Sequence, residues 1–95
     1  MSESFKHKKD SSGFKEFVDL LLVIENRELL EDFLLGITTE YERVAIAHRL
    51  QIIKKLLEDK TQLEIAEEMG VGVSTVTRGA KELASGRFKV LRNIK

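Results

Sequence analysis

The stretch that decides the fold is QLEIAEEMGVGVSTVTRGAKELA, residues 62–84. Its spacing is typical of a helix-turn-helix, in which a tight turn joins two short helices. Ala66 is small where the helices would cross, and Gly70 stands where the turn needs a positive φ. The second helix is predicted to start at Val73 or Ser74 and to fade at Ser85. The residues that we expect to hold the two helices together are Ile65, Met69, Val71 and Val76.

The chain before this stretch also has helical spacing. Apolar residues recur every three or four positions in FKEFVDLLLVI, residues 14–24, which predicts an amphipathic helix. The segment RELLEDFLL, residues 27–35, follows a possible N-cap residue, Asn26. We expect Gly36 to end this second helix.

Two capping boxes of the form T-x-x-E mark further helix starts, at residues 39–42 and 61–64. The first opens a long helix to about residue 58, and the second opens the helix-turn-helix. A last basic helix is predicted over residues 87–94. Because no segment alternates like a strand, we predict an all-α fold of about six helices.

The composition limits what the chain can be. We expect a flexible polar arm over residues 1–12 and a single all-helical domain over residues 13–95, with its helix-turn-helix at 62–84. The sequence contains no cysteine, no apolar run long enough to span a membrane and no signal-peptide pattern. We therefore expect a cytoplasmic protein with no membrane contact. No metal-ligand spacing or nucleophile–base pair stands out, so we expect neither an enzyme nor a bound metal.

Charge is segregated along a chain whose net charge is zero. Residues 72–95 hold six basic side chains and one acidic one, whereas residues 25–69 hold eleven acidic and six basic ones. A basic end on the second helix of the motif is the pattern expected for contact with a phosphate backbone. The alternative is a solvated face that happens to be basic.

The first helices carry more apolar surface than one small chain can bury. The segments LLLVI, residues 20–24, and LLEDFLL, residues 29–35, offer apolar groups on more than one face. A homodimer that shares its core is the simplest solution, and a tight monomeric bundle is the alternative.

In DNA-binding proteins with this motif, the N-terminal end of the second helix enters the major groove. Valine and short hydroxyl side chains make few bidentate contacts with bases, so we expect readout through backbone amides, water and DNA shape. The residues that we predict to contact double-stranded operator DNA are Gln62, Gly72, Val73, Ser74, Thr77 and Lys81.

Gly79 stands in the second helix where a bulky core residue is usual. A glycine inside a helix costs about 1 kcal/mol relative to alanine, and a ligand that filled the space would explain it. Arg78 is adjacent, and Arg49 interrupts an apolar run in the long helix. Two guanidinium planes beside a gap would suit a planar anionic or zwitterionic ligand. The alternative for Arg49 is an ion pair with Glu42 or another surface acid.

The chain resembles the bacterial tryptophan repressor family in several short segments. These are FVDLL in the first helix, ER and HR in the long helix, and MGVGVSTVTRG in the motif. The resemblance runs from about Phe17 to Ala84. It implies an intertwined all-helical homodimer with L-tryptophan as corepressor and no other cofactor. The indole would lie between the two arginines. The ligand-binding residues that the resemblance implies are Thr39, Arg49, Ile52, Thr75, Arg78, Gly79 and Glu82.

Three positions depart from the family pattern. Glu82 stands where the family usually has a serine beside the amino group of tryptophan, so we hypothesise that it favours ligands with an amine over plain indole acids. Leu63 replaces a DNA-contacting arginine, and Ala66 replaces another basic residue. Contacts with phosphates are therefore expected to differ from those of the family.

Two other functions remain open from the sequence. The first is a DNA-binding regulator that needs no ligand, which the carboxylate of Glu82 favours. The second is a helical protein-interaction module whose basic end binds an acidic partner. Competition by a sequence-specific duplex would distinguish the second from a DNA-binding protein.

Overall fold

In the computed structural model, which describes residues 11–92, the predicted all-α fold is confirmed: six helices and no strand occur in that range. The chain divides into two compact units, Met1–Thr39 and Glu40–Lys95. The first unit holds two helices and the second holds four. In chain order the helices are α1 (Ser11–Val23), α2 (Arg27–Ile37), α3 (Glu40–Leu57), α4 (Gln62–Met69), α5 (Val73–Ala84) and α6 (Lys89–Arg92).

The first unit is a pair of helices with little buried surface. The rings of Phe17 and Phe33 lie 6.0 Å apart between centroids and are tilted by 34°. Asn26 caps α2 as predicted, because its side chain accepts a hydrogen bond from the backbone N–H of Leu29 at 2.9 Å. Neither helix contains a fully buried residue, and Leu22 is 76% exposed. Apolar surface is therefore left uncovered on both helices.

Three predicted boundaries differ from the observed ones. Gly36 lies inside α2 and does not end it; the helix ends one residue later, where the hydroxyl of Thr38 donates to the carbonyl of Leu34. The helix α1 begins at Ser11, so the last two residues of the predicted arm are helical. The rest of that arm, residues 1–10, lies outside the described residues. In the last helix, predicted over 87–94, only Lys89–Arg92 is helical within the described range.

The helix-turn-helix is built as predicted. Thr61 and Glu64 form the second capping box at the start of α4. Gly70 ends that helix with φ of 66°, the left-handed conformation that glycine adopts without strain. The turn then leads through Gly72 into α5, whose far end is followed by Gly86 with φ of 102°.

The core of the second unit lies where α3, α4 and α5 meet. Ile65 and Val76 are completely buried, and Ile52 of α3 is 2% exposed. All the residues that we expected to hold the two helices of the motif together belong to this cluster or pack against it. The cluster consists of Ile52, Ile65, Ala66 and Val76, with Leu56, Met69 and Val71 packed around it. The core therefore attaches the helix-turn-helix to α3.

An ion-pair network ties the end of α3 to α4. The carboxylate of Glu68 lies 3.0 Å from the Nζ of Lys55 and 3.2 Å from the Nζ of Lys60. Hydrogen bonds from Lys55 and then Lys60 lower the pKa of the Glu68 carboxyl, and the hydrogen bond to Glu68 raises the pKa of Lys60. Because all three groups are at the surface, solvent weakens the network.

Candidate functional site

A solvent-open cleft of about 760 Å³ lies within the second unit, chiefly between α3 and α5. Its lining mixes cationic, aromatic and aliphatic side chains. The lining residues are Tyr41, Ala45, His48, Arg49, Ile52, Ile53, Val71, Ser74, Thr75, Arg78, Gly79, Glu82, Arg87 and Phe88.

The α3 wall of the cleft follows the helical repeat. Tyr41, Ala45, His48 and Ile52 are three or four residues apart and so lie along one face. Arg49, four residues after Ala45 and three before Ile52, also lines the cleft. Ile52 also belongs to the core, so the floor of the cleft is continuous with the packing of the helix-turn-helix.

The α5 wall has the same periodicity. Arg78 and Gly79 follow Thr75 by three and four residues, Glu82 follows them by four and three, and all four line the cleft. This wall belongs to the second helix of the motif, the helix that is predicted to read DNA. A molecule in the cleft would therefore lie directly against that helix.

Close packing against α3 gives a reason for glycine at position 79. A Cβ atom built there would lie 3.2 Å from the Cδ1 of Ile53, 3.3 Å from the Cγ2 of Ile52 and 3.7 Å from the Cδ1 of Leu56. Side chains of α3 therefore occupy the space that a Cβ atom at this position would need. Glycine at this position lets α5 approach α3 closely, and the residue still lines the cleft beside that contact.

The two predicted guanidinium groups both lie in the cleft. Neither Arg49 nor Arg78 has an ion pair or a side-chain hydrogen bond among residues 11–92, so the alternative pairing of Arg49 with Glu42 does not occur. Arg49 is exposed in this chain, and the argument from a costly buried arginine does not apply to it. Both cations are available to an anionic group in the cleft.

The corner between α5 and α6 closes one end of the cleft. The Oε1 of Glu82 lies 3.8 Å from the Nε of Arg87. Phe88 has φ of 66°, a left-handed conformation that is strained for a bulky side chain. The side chains of Lys89 and Arg92 hold the corner by donating to the carbonyls of Gly86 and Leu83.

Six of the seven predicted ligand-binding residues are brought together in this cleft; Thr39 is the last residue of the first unit, and its role stays a prediction. The sequence interpretation missed Tyr41, Ala45 and His48, although the helical spacing of Tyr41 and Ala45 from Arg49 pointed to the first two. It also missed the α5–α6 corner, for which no sequence signal was available. The lining residues not predicted are Tyr41, Ala45, His48, Ile53, Val71, Arg87 and Phe88.

The residues predicted to contact DNA fall into two groups. Thr77 donates a hydrogen bond of 2.6 Å to the Oε1 of Gln62, so these two side chains lock α5 to α4. Gly72 precedes α5 without a side-chain cap, and Val73 is 42% exposed at the first turn. Lys81 and Ser74 are exposed too, and Ser74 also lines the cleft.

Two of the positions that differ from the usual family pattern lie in α4. Leu63 is at the surface and 65% exposed, whereas Ala66 is buried where the helices cross.

No group of three or more His, Cys, Asp or Glu residues in the described range is arranged to hold a metal ion. None of the helices within residues 11–92 combines the length and apolar character required to cross a membrane.

Fold and site together define a helix-turn-helix protein with a cationic cleft against the second helix of its motif. The sequence matches the family described as Trp repressor protein over residues 12–92, and the chain belongs to that family. This confirms the resemblance inferred from the motifs. The family consists of DNA-binding regulators and not of enzymes, in agreement with the expected absence of enzymatic activity.

Named relatives cover most of the chain. A Trp operon repressor homolog of Chlamydia trachomatis serovar D is 36% identical over 76 residues, which are 79% of this chain and 81% of the relative. One from Vibrio cholerae serotype O1 is 35% identical over 75 residues, 78% of this chain and 73% of the relative. One from Vibrio campbellii is 30% identical over 80 residues, 83% of this chain and 80% of the relative.

Proposed function

We propose that the chain is a ligand-dependent transcriptional repressor in the cytoplasm, with L-tryptophan or a related indole amino acid as corepressor. The observation that carries the proposal is a pair of guanidinium groups, Arg49 and Arg78, in a cleft formed against α5. Neither group has an ion-pair or side-chain hydrogen-bond partner within residues 11–92. Guanidinium groups bind carboxylates and stack on aromatic rings, so they suit a planar ligand that carries a carboxylate.

A ligand bound in the cleft can change the affinity of the protein for DNA. A ligand between α3 and α5 contacts both helices, so it stabilises one arrangement of the reading helix relative to others. If that arrangement binds operator DNA better, ligand and DNA each raise the affinity of the protein for the other by the same factor.

The DNA-binding surface of the proposal is the N-terminal end of α5. Because Gly72 provides no side-chain cap, the amides of Val73 and Ser74 can donate to a phosphate group, whereas the N–H of Thr75 already donates to the carbonyl of Gly72 at 3.1 Å. The exposed Val73 suits contact with a thymine methyl group, and Lys81 suits a phosphate. Within the described residues, Gln62 and Thr77 support this surface by binding each other.

The proposed repressor acts as a homodimer. The two helices of the first unit contain no buried residue among those described, and side chains such as Phe14, Leu22 and Leu29 are more than half exposed. Uncovered apolar surface of this extent is typical of an interface between chains. A second copy would cover the same faces on both chains, as two-fold symmetry requires. Sedimentation equilibrium is the direct test of this part.

The main experiment measures DNA binding with and without L-tryptophan. Duplexes are selected from a random pool in the presence of the ligand, and the affinity of the best one is then measured at fixed salt. We expect saturable calorimetric binding of one L-tryptophan per chain and at least about tenfold tighter DNA binding with it, the scale of a typical coupling free energy. Arg78→Gln should lose the ligand effect and keep basal DNA binding.

The ligand-independent regulator is the second candidate. It is favoured by Glu82, whose carboxylate lies in the cleft near Arg87 and would repel the carboxylate of a ligand. Equal affinity for the selected duplex with and without L-tryptophan would support this candidate. If no selected duplex outcompetes random DNA, the basic end serves a protein partner instead.

A further inference from the structure

The cations of the cleft do not by themselves decide which side chain a ligand carries. Arg49 and Arg78 can stack on a ring, but they also bind the carboxylate that every amino acid has. A clear preference for an aromatic ligand needs further surface that its ring contacts. Two lining residues carry a six-membered aromatic ring, Tyr41 on α3 and Phe88 at the corner between α5 and α6.

These two rings differ in how firmly they are held. Tyr41 is in the first turn of α3 and is 82% exposed, so its ring is largely surrounded by solvent. Phe88 is only 36% exposed, so most of this residue is packed against the protein where it lines the cleft. A ring that is already in place contacts a ligand without the entropic cost of being ordered. Phe88 is therefore the ring that the cleft offers in a fixed position.

Backbone hydrogen bonds fix the corner on both sides of Phe88. Its carbonyl accepts from the N–H groups of Leu91 and Arg92, at 3.0 and 3.3 Å. The N–H of Arg87, just before it, donates to the carbonyl of Glu82 at 3.1 Å and so ties the corner to the end of α5. The position of Phe88 at the end of the cleft is thus set by its neighbours on both sides.

The backbone of Phe88 is strained in this position. Its φ of 66° is one that glycine adopts freely and a bulky residue rarely. Gly86, two residues earlier, has φ of 102°, so the corner already has a glycine at its other left-handed position. Strained residues that the surrounding structure holds in place are concentrated at sites that bind ligands. A phenylalanine at a position that suits glycine therefore points to a use for its ring.

We propose that Phe88 is a specificity-determining residue of the cleft. Its ring packs against the ring of the ligand and makes the cleft prefer aromatic over aliphatic amino acids. The inference rests on the proposed function, since it concerns the ligand of the same cleft. It adds a contact with the side chain of the ligand, from a segment that follows the helix-turn-helix.

The test compares L-tryptophan with L-leucine, which differ only in their side chains, on the full chain. Calorimetry gives the affinity of L-tryptophan, and L-leucine is measured by displacing it. The fluorescence of tryptophan reports the displacement, because the chain itself contains no tryptophan. In Phe88→Leu the affinity for L-tryptophan should fall about three- to tenfold, the effect of one aromatic pair, and that for L-leucine should stay within about twofold. Phe88→Tyr keeps the ring and should keep the wild-type preference.

A matched control is Phe14→Leu, which makes the same change at an exposed ring of α1 that does not line the cleft. It should keep the wild-type preference for L-tryptophan. An unchanged preference in Phe88→Leu would overturn the inference while leaving a working ligand cleft. Binding of neither amino acid to the wild type would overturn the proposed corepressor as well.

A second pair of variants separates the ring from the stability of the corner. Phe88→Ala and Phe88→Gly both remove the ring, so they should weaken binding of L-tryptophan to the same extent. The glycine variant should nevertheless have the higher thermal midpoint, because glycine adopts φ of 66° without strain. If Phe88→Gly instead binds L-tryptophan as tightly as the wild type, the role of Phe88 is structural and the inference is wrong.

Discussion

Replacing Gly79 by alanine tests whether close packing of α5 on α3 requires a glycine. Alanine is the better helix former by about 1 kcal/mol, so an open position would be stabilised by the change. At Gly79 the new Cβ would lie 3.2 Å from the Cδ1 of Ile53 and 3.3 Å from the Cγ2 of Ile52. Ile52 is a β-branched core residue that is 2% exposed, so it has little freedom to move.

The steric cost should exceed the gain in helix propensity. Overpacking of a core costs about 1–3 kcal/mol, and a contact that needs a shift of a few tenths of an ångström belongs near the middle of this range. With about 2 kcal/mol of strain against about 1 kcal/mol of gain, Gly79→Ala should destabilise the protein by about 1 kcal/mol. The thermal midpoint should fall by about 4–8 °C.

The assay is thermal and urea unfolding followed by circular dichroism, with Gly36→Ala as the matched control. Gly36 is also inside a helix, but a Cβ there meets nothing within 4 Å, so its replacement should stabilise by about 0.5–1 kcal/mol. Ile53→Val removes the Cδ1 atom that is closest to the new methyl group. Combined with Gly79→Ala, it should show a favourable coupling of about 0.5 kcal/mol or more. If Gly79→Ala stabilises as much as Gly36→Ala and shows no coupling, the packing explanation is wrong.

Four further outcomes are expected. Ile65→Val should lower the free energy of unfolding by about 1 kcal/mol, because it removes a methylene from a completely buried side chain; urea unfolding measures this. Glu68→Gln should lower the thermal midpoint at neutral pH. Because the pKa of Glu68 is lowered in the folded protein, its contribution is present above its ordinary value of 4.5 and is lost as the pH falls through the folded pKa, so the two midpoints should converge in acid. Arg49→Gln and Arg78→Gln should each weaken calorimetric binding of L-tryptophan by about tenfold or more, whereas two unchanged affinities would contradict the proposed site. Lys81→Gln should weaken binding to all duplexes alike. It should also reduce the slope of the logarithm of the DNA-binding constant against the logarithm of salt concentration by about 0.9 for each protein chain bound.

The helix-turn-helix was predictable because its constraints are local. The capping box at residues 61–64, the left-handed Gly70 and the apolar spacing each depend on neighbours within about one or two turns. Gly36 was misjudged because glycine permits a helix to end without requiring it. There α2 continues by one residue, and Thr38 binds the carbonyl that is left free.

The site was predictable in part, for a related reason. Once Arg49 and Arg78 were identified, the helical repeat fixed which of their neighbours share a face. The close contact at Gly79 and the corner at Phe88 depend on how separate segments meet in space. One sequence provides no signal for such contacts, so the close packing of α3 against Gly79 could not be predicted.

The cleft and the core of the second unit are not separate structures. Ile52 belongs to the buried cluster and lines the cleft, and Val71 of the turn packs on that cluster and lines the cleft as well. Because protein interiors are densely packed, a displacement of either side chain is felt by Ile65 and Val76, which hold α4 to α5. The proposed ligand would therefore act on the same contacts that hold the two helices of the motif together. This shared packing is what a ligand needs to control a helix-turn-helix without touching DNA.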